Sequence, residues 1–434
     1  MCKNQIRNFR LVGNGQMKYP LESLFRTEEA LELGRGLSVG DRKVTVTRKS
    51  KNISDFIYHS SVEDYCVKNG KRLMLVSLVF AAAAGALCYF LPGKGEVGNI
   101  FDSFTAFCGT ICFTVPFMMS LSGGSVFKAS CKRLSKEDIM LSGYSAVETF
   151  KDTDIVVMDA EELFPEGCVS LKGMHSDKNQ ALDRSIIDVT GIINMAGGPL
   201  KPLFRSVLQN DSKLFPEVDT IVYEEEMGIS GWVSGHRVLV GNRQLLKYHE
   251  VDVKDDGYET QYEGTGIKPV YLSAGGELSA VFLVQYRPDK QIGEKLREAV
   301  KKGISIAIYT CDPNITSKMV CELYRLPIGS VRVMGTAARH IYKKLTNESK
   351  KSLDGTLMCD GTGESMLEAV LSCRRIFKVL RFSAFLQIIT CLLGGVLALG
   401  IIYTVGVSGI SSAIILAYQL ICYLIIRGLP SIGV

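Results

Sequence analysis

The chain has 434 residues with 47% hydrophobic content and a mean hydropathy of +0.16, high for a wholly soluble protein, so membrane segments are sought before folds. Its 50 basic and 45 acidic side chains leave a net charge of only +5. No basic stripe interleaved with aromatics is present, which argues against a nucleic-acid partner. Thirteen cysteines are scattered without C-x-x-C pairs or zinc-type spacing, several of them inside apolar runs. This usage is expected of small apolar residues in a reducing cytoplasm.

Four stretches are uncharged for about the length of a bilayer-crossing helix. They are "LMLVSLVFAAAAGALCYFL" (73–91), which stops at Pro92 and Gly93; Phe104 to Leu121, containing Pro116; Phe382 to Tyr403; and Ile410 to Ile426, closing on Arg427. Basic residues crowd the outer flanks: Lys68, Lys71 and Arg72 before the first, Lys128, Lys132, Arg133 and Lys136 after the second, and Arg374, Arg375, Lys378 and Arg381 before the third. The positive-inside rule then predicts two membrane hairpins, 67–123 and 376–434, in the lipid bilayer of the cell membrane, with both termini and the long central region cytoplasmic.

The central region alternates strand-like and helix-like patterns. "DIVVMD" is a continuous apolar strand ending in Asp159. "KQIGEKLREAVKKG" is an amphipathic helix with Ile292, Leu296 and Val300 on one face and Gly303 as its stop. "GISIAIYTCD" is a strand that runs into Asp312, and "GTLMCDGTGE" is another that runs into Asp360 and a glycine turn. Strand, helix, strand in this order predicts a parallel sheet with three acids at its carboxyl edge, where ligands bind in open α/β folds. Neighbouring carboxylates there can hold Mg²⁺ and support phosphoryl transfer to an aspartate.

Membrane hairpin, strand-Asp, large insertion, strand-Asp, strand-Asp-Gly and second hairpin is the order of a P-type ATPase, and the local wording resembles its heavy-metal-transporting branch. "GISGWVSGHRVLVGN" (228–242) closely resembles the glycine-rich segment of that branch's nucleotide domain, and "MCDGTGES" resembles the hinge Gly-Asp-Gly-x-Asn-Asp. The resemblance covers about 100–434. It implies a haloacid-dehalogenase-like phosphorylation domain (124–168 and 281–375) with a parallel sheet, and an inserted α+β nucleotide-binding-like domain (169–280). It implies ATP and Mg²⁺ as cofactors, Asp159 as phosphoryl acceptor with Asp312 and Asp360 beside it, and Asp159, Asp360 and Glu364 as Mg²⁺ ligands. Gly228, Gly231 and Pro199 fall at nucleotide-binding positions, and Cys108, Cys112 and Pro116 on the transport path.

The departures from the family pattern fall on the catalytic letters. After Asp159 stand Ala160 and Glu161 in place of lysine and threonine, so two phosphate-binding donors become a methyl group and a negative charge. Cys311 replaces a glycine, Gly363 an asparagine, Glu364 an aspartate, and Gly198 the histidine of a His-Pro pair. In "GTAARHIYKK" alanine and arginine occupy the place of a phosphate-contacting lysine, and Val115 and Phe117 flank Pro116 where cysteines would stand. Cys108 and Cys112 lie at i and i+4, spaced for one helix face. Residues 1–66 hold no Thr-Gly-Glu and read as a possible remnant of an actuator domain. Three readings follow: a catalytically impaired ATPase-like membrane scaffold or regulator; a working cation pump completed by a separate actuator-bearing partner; and a membrane-tethered phosphatase of the haloacid-dehalogenase type, with Glu161 two residues after the nucleophile.

Overall fold

The computed structural model describes residues 61–90, 99–115, 117–141, 143–176, 182–224, 226–253, 257–335, 357–359 and 362–428. It adds four short strands, β1 (Arg10–Val12), β2 (Gln16–Lys18), β3 (Ser38–Val39) and β4 (Arg42–Lys43). The remainder of the 1–66 segment up to residue 60, Pro116, Asp360 and most of "GTAARHIYKK" lie outside the described residues.

Helices α1 (Tyr65–Phe90), α2 (Ile100–Thr114) and α3 (Phe117–Leu134) lead into the short strand β5 (Met140–Leu141) and α4 (Tyr144–Phe150). Strand β6 (Ile155–Asp159) follows, and α5 (Ala160–Leu163) starts directly at its end, with Asp159 as its N-cap residue. The inserted unit comprises β7 (Val169–Ser176), α6 (Leu182–Ala196), α7 (Leu200–Val207), β8 (Val218–Glu224), β9 (Gly228–Val233), β10 (His236–Gly241), α8 (Arg243–Tyr248), α9 (Tyr258–Gln261), β11 (Ile267–Ala274) and β12 (Glu277–Tyr286). Its six strands form one antiparallel sheet in the order β7-β12-β11-β10-β9-β8, with α6 packed on it through Val189, Ile192 and Ile193.

The chain then forms α10 (Lys290–Lys301), β13 (Ser305–Tyr309), α11 (Ser317–Tyr324), β14 (Val331–Val333), β15 (Leu357–Cys359), α12 (Gly363–Val405) and α13 (Ser412–Gly428). α10 is the amphipathic helix that the spacing predicts. Ile292 and Leu296 are buried, the Asp289 side chain caps the N–H of Ile292 at 3.0 Å, and Gly303 has φ +79° beyond the last turn. Strands β14, β13 and β6 form a parallel sheet, with Ile306 and Ile308 opposite Val156 and Met158. All four of these side chains are buried on one face of the sheet, whereas on the other Ile155 and Ser305 are exposed and Val157 and Ala307 half-buried, so these two strands are not covered on both faces as the continuous apolar run predicts.

The third strand-then-acid segment is placed differently from the expectation. β15 pairs antiparallel with β5 and with β1 in a second sheet, not with β6. Leu357 and Cys359 are buried in this pairing, and the apolar pattern of a three-residue strand does not name the edge that receives it. α12 begins three residues after this strand and continues for 43 residues, about 65 Å at 1.5 Å per residue. Among the described residues two helices, α1 and α12, are long and apolar enough to cross a membrane, while the apolar helices Ile100–Thr114 and Ser412–Ile425 are shorter. α1 packs against α2, α3 and α12, and α13 contacts α2, α3 and α12.

Candidate functional site

Asp159 closes β6 and faces the start of a one-turn helix rather than an open loop. The next residue, Ala160, is 1% exposed and packed in the core, so the position that the resemblance assigns to a lysine has its methyl group turned inward. Glu161 lies at the cleft, and its Oε1 accepts a hydrogen bond of 2.7 Å from the backbone N–H of Gly198. The loop beyond is pinned by aromatics. Phe164 packs against Tyr286 and Tyr324 at ring-centroid separations of 5.6 and 5.9 Å, and the Tyr324 hydroxyl donates to the Leu163 carbonyl.

Asp312 follows β13 and is 4% exposed. Its Oδ2 accepts from the Tyr286 hydroxyl, and its Oδ1 accepts from the Asn314 N–H at 3.0 Å. Burial pushes its pKa up to about 6, against the pull of those two donors. The carboxylate is thus engaged by the last strand of the inserted unit. Parallel pairing of Tyr309 with Asp159 brings the ends of β6 and β13 side by side.

Beside these strand ends is a cavity of about 420 Å³. Glu161, Glu162, Glu166, Asp289 and Glu364 line it together with Phe164, Pro165, Pro199, Pro202 and the start of α12; among the described residues no lysine or arginine does. Neither Asp159 nor Asp312 is part of the lining. Gly363 lies flush against β6 and α5. A Cβ there would stand 2.6 Å from Met158 Cε, the far end of a flexible side chain, and 3.1 Å from Glu162 Cβ, so a larger residue requires Met158 and Glu162 to give way. The described lining thus presents carboxylates, and no lysine or arginine, to the space where the resemblance places a triphosphate. Among the described residues no group of three or more His, Cys, Asp or Glu side chains is placed to hold a metal ion.

Gly228 and Gly231 sit in β9, where a Cβ would lie 2.4 Å from the Val240 carbonyl oxygen and 2.7 Å from that of Thr220. Close strand packing therefore demands glycine at both positions. Pro199 lines the cavity from the start of α7.

Cys108 and Cys112 are exposed on the outer face of α2. A small cavity of about 20 Å³, room for one water or ion, lies instead among α2, α12 and α13. Gln387, Cys391 and Cys422 line it. The Ser77 hydroxyl donates to the Thr114 carbonyl at 3.1 Å and lies 3.6 Å from Cys391 Sγ, and Gln419 Nε2 donates to the Cys112 and Phe113 carbonyls. Gln387 is 3% exposed and its Oε1 has no hydrogen-bond partner. The sequence signal for this set was present but faint: polar residues interrupting the apolar runs of α12 and α13.

At the other end of α12, the buried Glu368 carboxylate gathers three cations. Arg133 Nη2 on α3 is at 3.0 Å, Lys295 Nζ on α10 at 2.6 Å and Arg375 Nη1 at 2.9 Å. Arg375 also reaches Glu298 at 2.7 Å, and Arg374 donates to the Lys302 and Thr153 carbonyls at 2.7 and 2.5 Å. Residues that read as a membrane flank in the sequence thus also join the long helix to the parallel-sheet unit.

No protein-family profile matches the chain. It is 22% identical over 210 residues to the copper-transporting ATPase 2 of Rhizobium meliloti (strain 1021), covering 48% of this chain and 25% of that protein. It is 23% identical over 190 residues to the silver exporting P-type ATPase of Salmonella typhimurium, covering 42% and 22%. The match therefore spans about a quarter of the length of these relatives. A zinc-transporting PIB-type ATPase in its E2.Pi state aligns with 87% of this chain and 65% of its own, at 12% identity and a TM-score of 0.47. Together with two helices of membrane-crossing length and composition, the sequence relationship associates the chain with a membrane. The chain is a relative of the heavy-metal-transporting P-type ATPases.

Proposed function

We propose that the chain is a multi-pass membrane protein of P-type ATPase descent whose cytoplasmic unit no longer transfers phosphate to Asp159 and serves as a scaffold or regulator. The observation that carries this reading is the cleft as the described residues line it: Glu161 directed at Gly198, Ala160 packed inward, and carboxylates rather than a lysine or arginine along the wall. Losing one positioned donor to a developing charge typically costs about a hundred- to a thousandfold in rate, and two are replaced here. In this reading Asp159 is a strand-end residue inherited with the sheet. The relationship to copper- and silver-transporting ATPases supports a second reading, a working cation pump completed by a partner chain that brings an actuator domain.

Purified protein incubated with radiolabelled ATP and Mg²⁺ tests the choice. The expected result is no acid-stable, hydroxylamine-sensitive label. Labelling of the parent chain that vanishes in Asp159→Asn overturns the impaired reading and puts the pump first.

A further inference from the structure

We propose that the Glu161 carboxylate is a clasp that holds the inserted unit closed over the carboxyl edge of the parallel sheet. The bond joins residues from two separate units. Glu161 lies in the turn after β6, and Gly198 lies between α6 and α7 of the inserted unit, 37 residues away, with Oε1 at 2.7 Å from the Gly198 nitrogen.

The donor is presented by backbone conformation. Gly197 and Gly198 have φ of +79° and +96°, a pair of left-handed residues that turns the N–H of Gly198 out of the helix and toward the cleft. A Cβ at Gly198 would meet nothing within 4 Å, so packing does not impose this turn. An ionised acceptor makes the bond roughly twice as strong as a neutral pair.

The loop after the neighbouring strand makes a second tie. Asn314 Nδ2 donates to the Pro269 carbonyl on β11 at 3.2 Å. Asn314 is held for this by its own N–H on Asp312, and Asp312 is held by Tyr286. Both strand-end loops therefore reach across to the inserted unit, one on each side, and the 420 Å³ cavity lies beside the Glu161 tie with Pro199 and Pro202 on its far wall. Side chains of the chain itself bridge the cleft in this geometry. Opening it requires the Glu161 bond to be given up, which makes the contact autoinhibitory toward any ligand of the cleft. This holds whether or not Asp159 accepts phosphate, so phosphoryl labelling and the clasp stand or fall separately.

Hydrogen exchange on the full chain in nanodiscs, read on peptides covering 196–204, tests the contact. Fluorophores placed through non-canonical residues at the exposed positions Asp219 and Glu322 read the separation of the two units. In Glu161→Ala the Gly198 amide should exchange roughly ten- to a hundredfold faster, as expected for loss of one bond to a charged acceptor, and the inter-unit distance distribution should lengthen and broaden. Glu161→Asp keeps the charge but withdraws the carboxylate by one methylene, and should open the cleft in the same way. Glu161→Gln retains an oxygen acceptor and should fall between parent and Ala. Asn314→Ala, on the other loop, should add to the opening. Unchanged exchange and distance in Glu161→Ala and Glu161→Asp overturn the proposal, as does faster exchange at Gly198 with an unchanged distance distribution, which would reduce the contact to a local turn.

Discussion

Asp312 keeps the letter of the family pattern, and its surroundings in the fold set its titration. Its carboxyl is buried against the Tyr286 hydroxyl and the Asn314 N–H, and burial raises its pKa from 3.8 to about 6. A folded-state value above the unfolded one means that the folded chain binds more protons over that interval. Stability from this group is therefore greatest below about pH 4 and is lost as pH rises towards 6 and beyond. A rise from 3.8 to about 6 corresponds to about 3 kcal/mol. Asp312→Asn should consequently be more stable than the parent at pH 7.5, by up to about 3 kcal/mol, with the gap closing towards pH 4. Thermal unfolding of the detergent-solubilised proteins across this range checks it; a difference independent of pH would show that Asp312 is not the titrating group. Gly363 and Ala160 make the complementary point. Ala160 is packed in the core, and a side chain at Gly363 would require Met158 and Glu162 to shift.

Among the elements, α12 has the most consequential packing, since one continuous helix runs from the cleft residue Glu364 past Glu368 to the small cavity at Gln387 and Cys391. Glu368 is 2% exposed and is the common acceptor for cations from α3, α10 and α12 itself. Removing one partner from a buried ionic cluster leaves uncompensated charge and typically costs about 3–5 kcal/mol, whereas an exposed pair contributes about 0–1 kcal/mol. Glu368→Ala should therefore lower the thermal unfolding midpoint steeply and loosen α10 from α12. Glu148→Gln, which breaks the exposed Lys68–Glu148 pair at 3.2 Å, should leave the midpoint almost unmoved. Equal shifts for the two variants would deny the Glu368 cluster its anchoring role.

At the scale of the whole molecule, the strand-bearing units and the apolar helices are joined at one end of α1, α3 and α12, where the basic residues also gather. Lys68, Lys71 and Arg72 lie in the first turns of α1, Lys132 and Arg133 in the last turn of α3, and Arg374 and Arg375 just before the apolar part of α12. A cytoplasmic excess of lysine and arginine sets orientation in multi-pass proteins. Reporter fusions after residues 250 and 434 should give cytoplasmic signals and a fusion after residue 96 an external one. A cytoplasmic signal at 96 would sink the two-hairpin arrangement proposed for the chain.

Local regularities were legible in the sequence because their physical causes are local. Continuous apolar runs ending in acids marked β6 and β13, a 3.6-residue period with Asp289 and Gly303 at its ends marked α10, and long uncharged runs marked α1 and α12. The order of these pieces and a few quoted motifs were enough to point to the heavy-metal P-type ATPases. Tertiary structure alone decided what each side chain faces. β15 joined the antiparallel sheet because strand pattern does not name a partner edge. Cys108 and Cys112 turned outward while Cys391 and Cys422 turned to the cavity, because the rotation of a helix about its axis is fixed by packing when every face is apolar. Glu161 looked in sequence like a charge set against a phosphate; in the fold it meets the N–H of Gly198, a donor 37 residues away that only the closed arrangement of the two units brings within 2.7 Å.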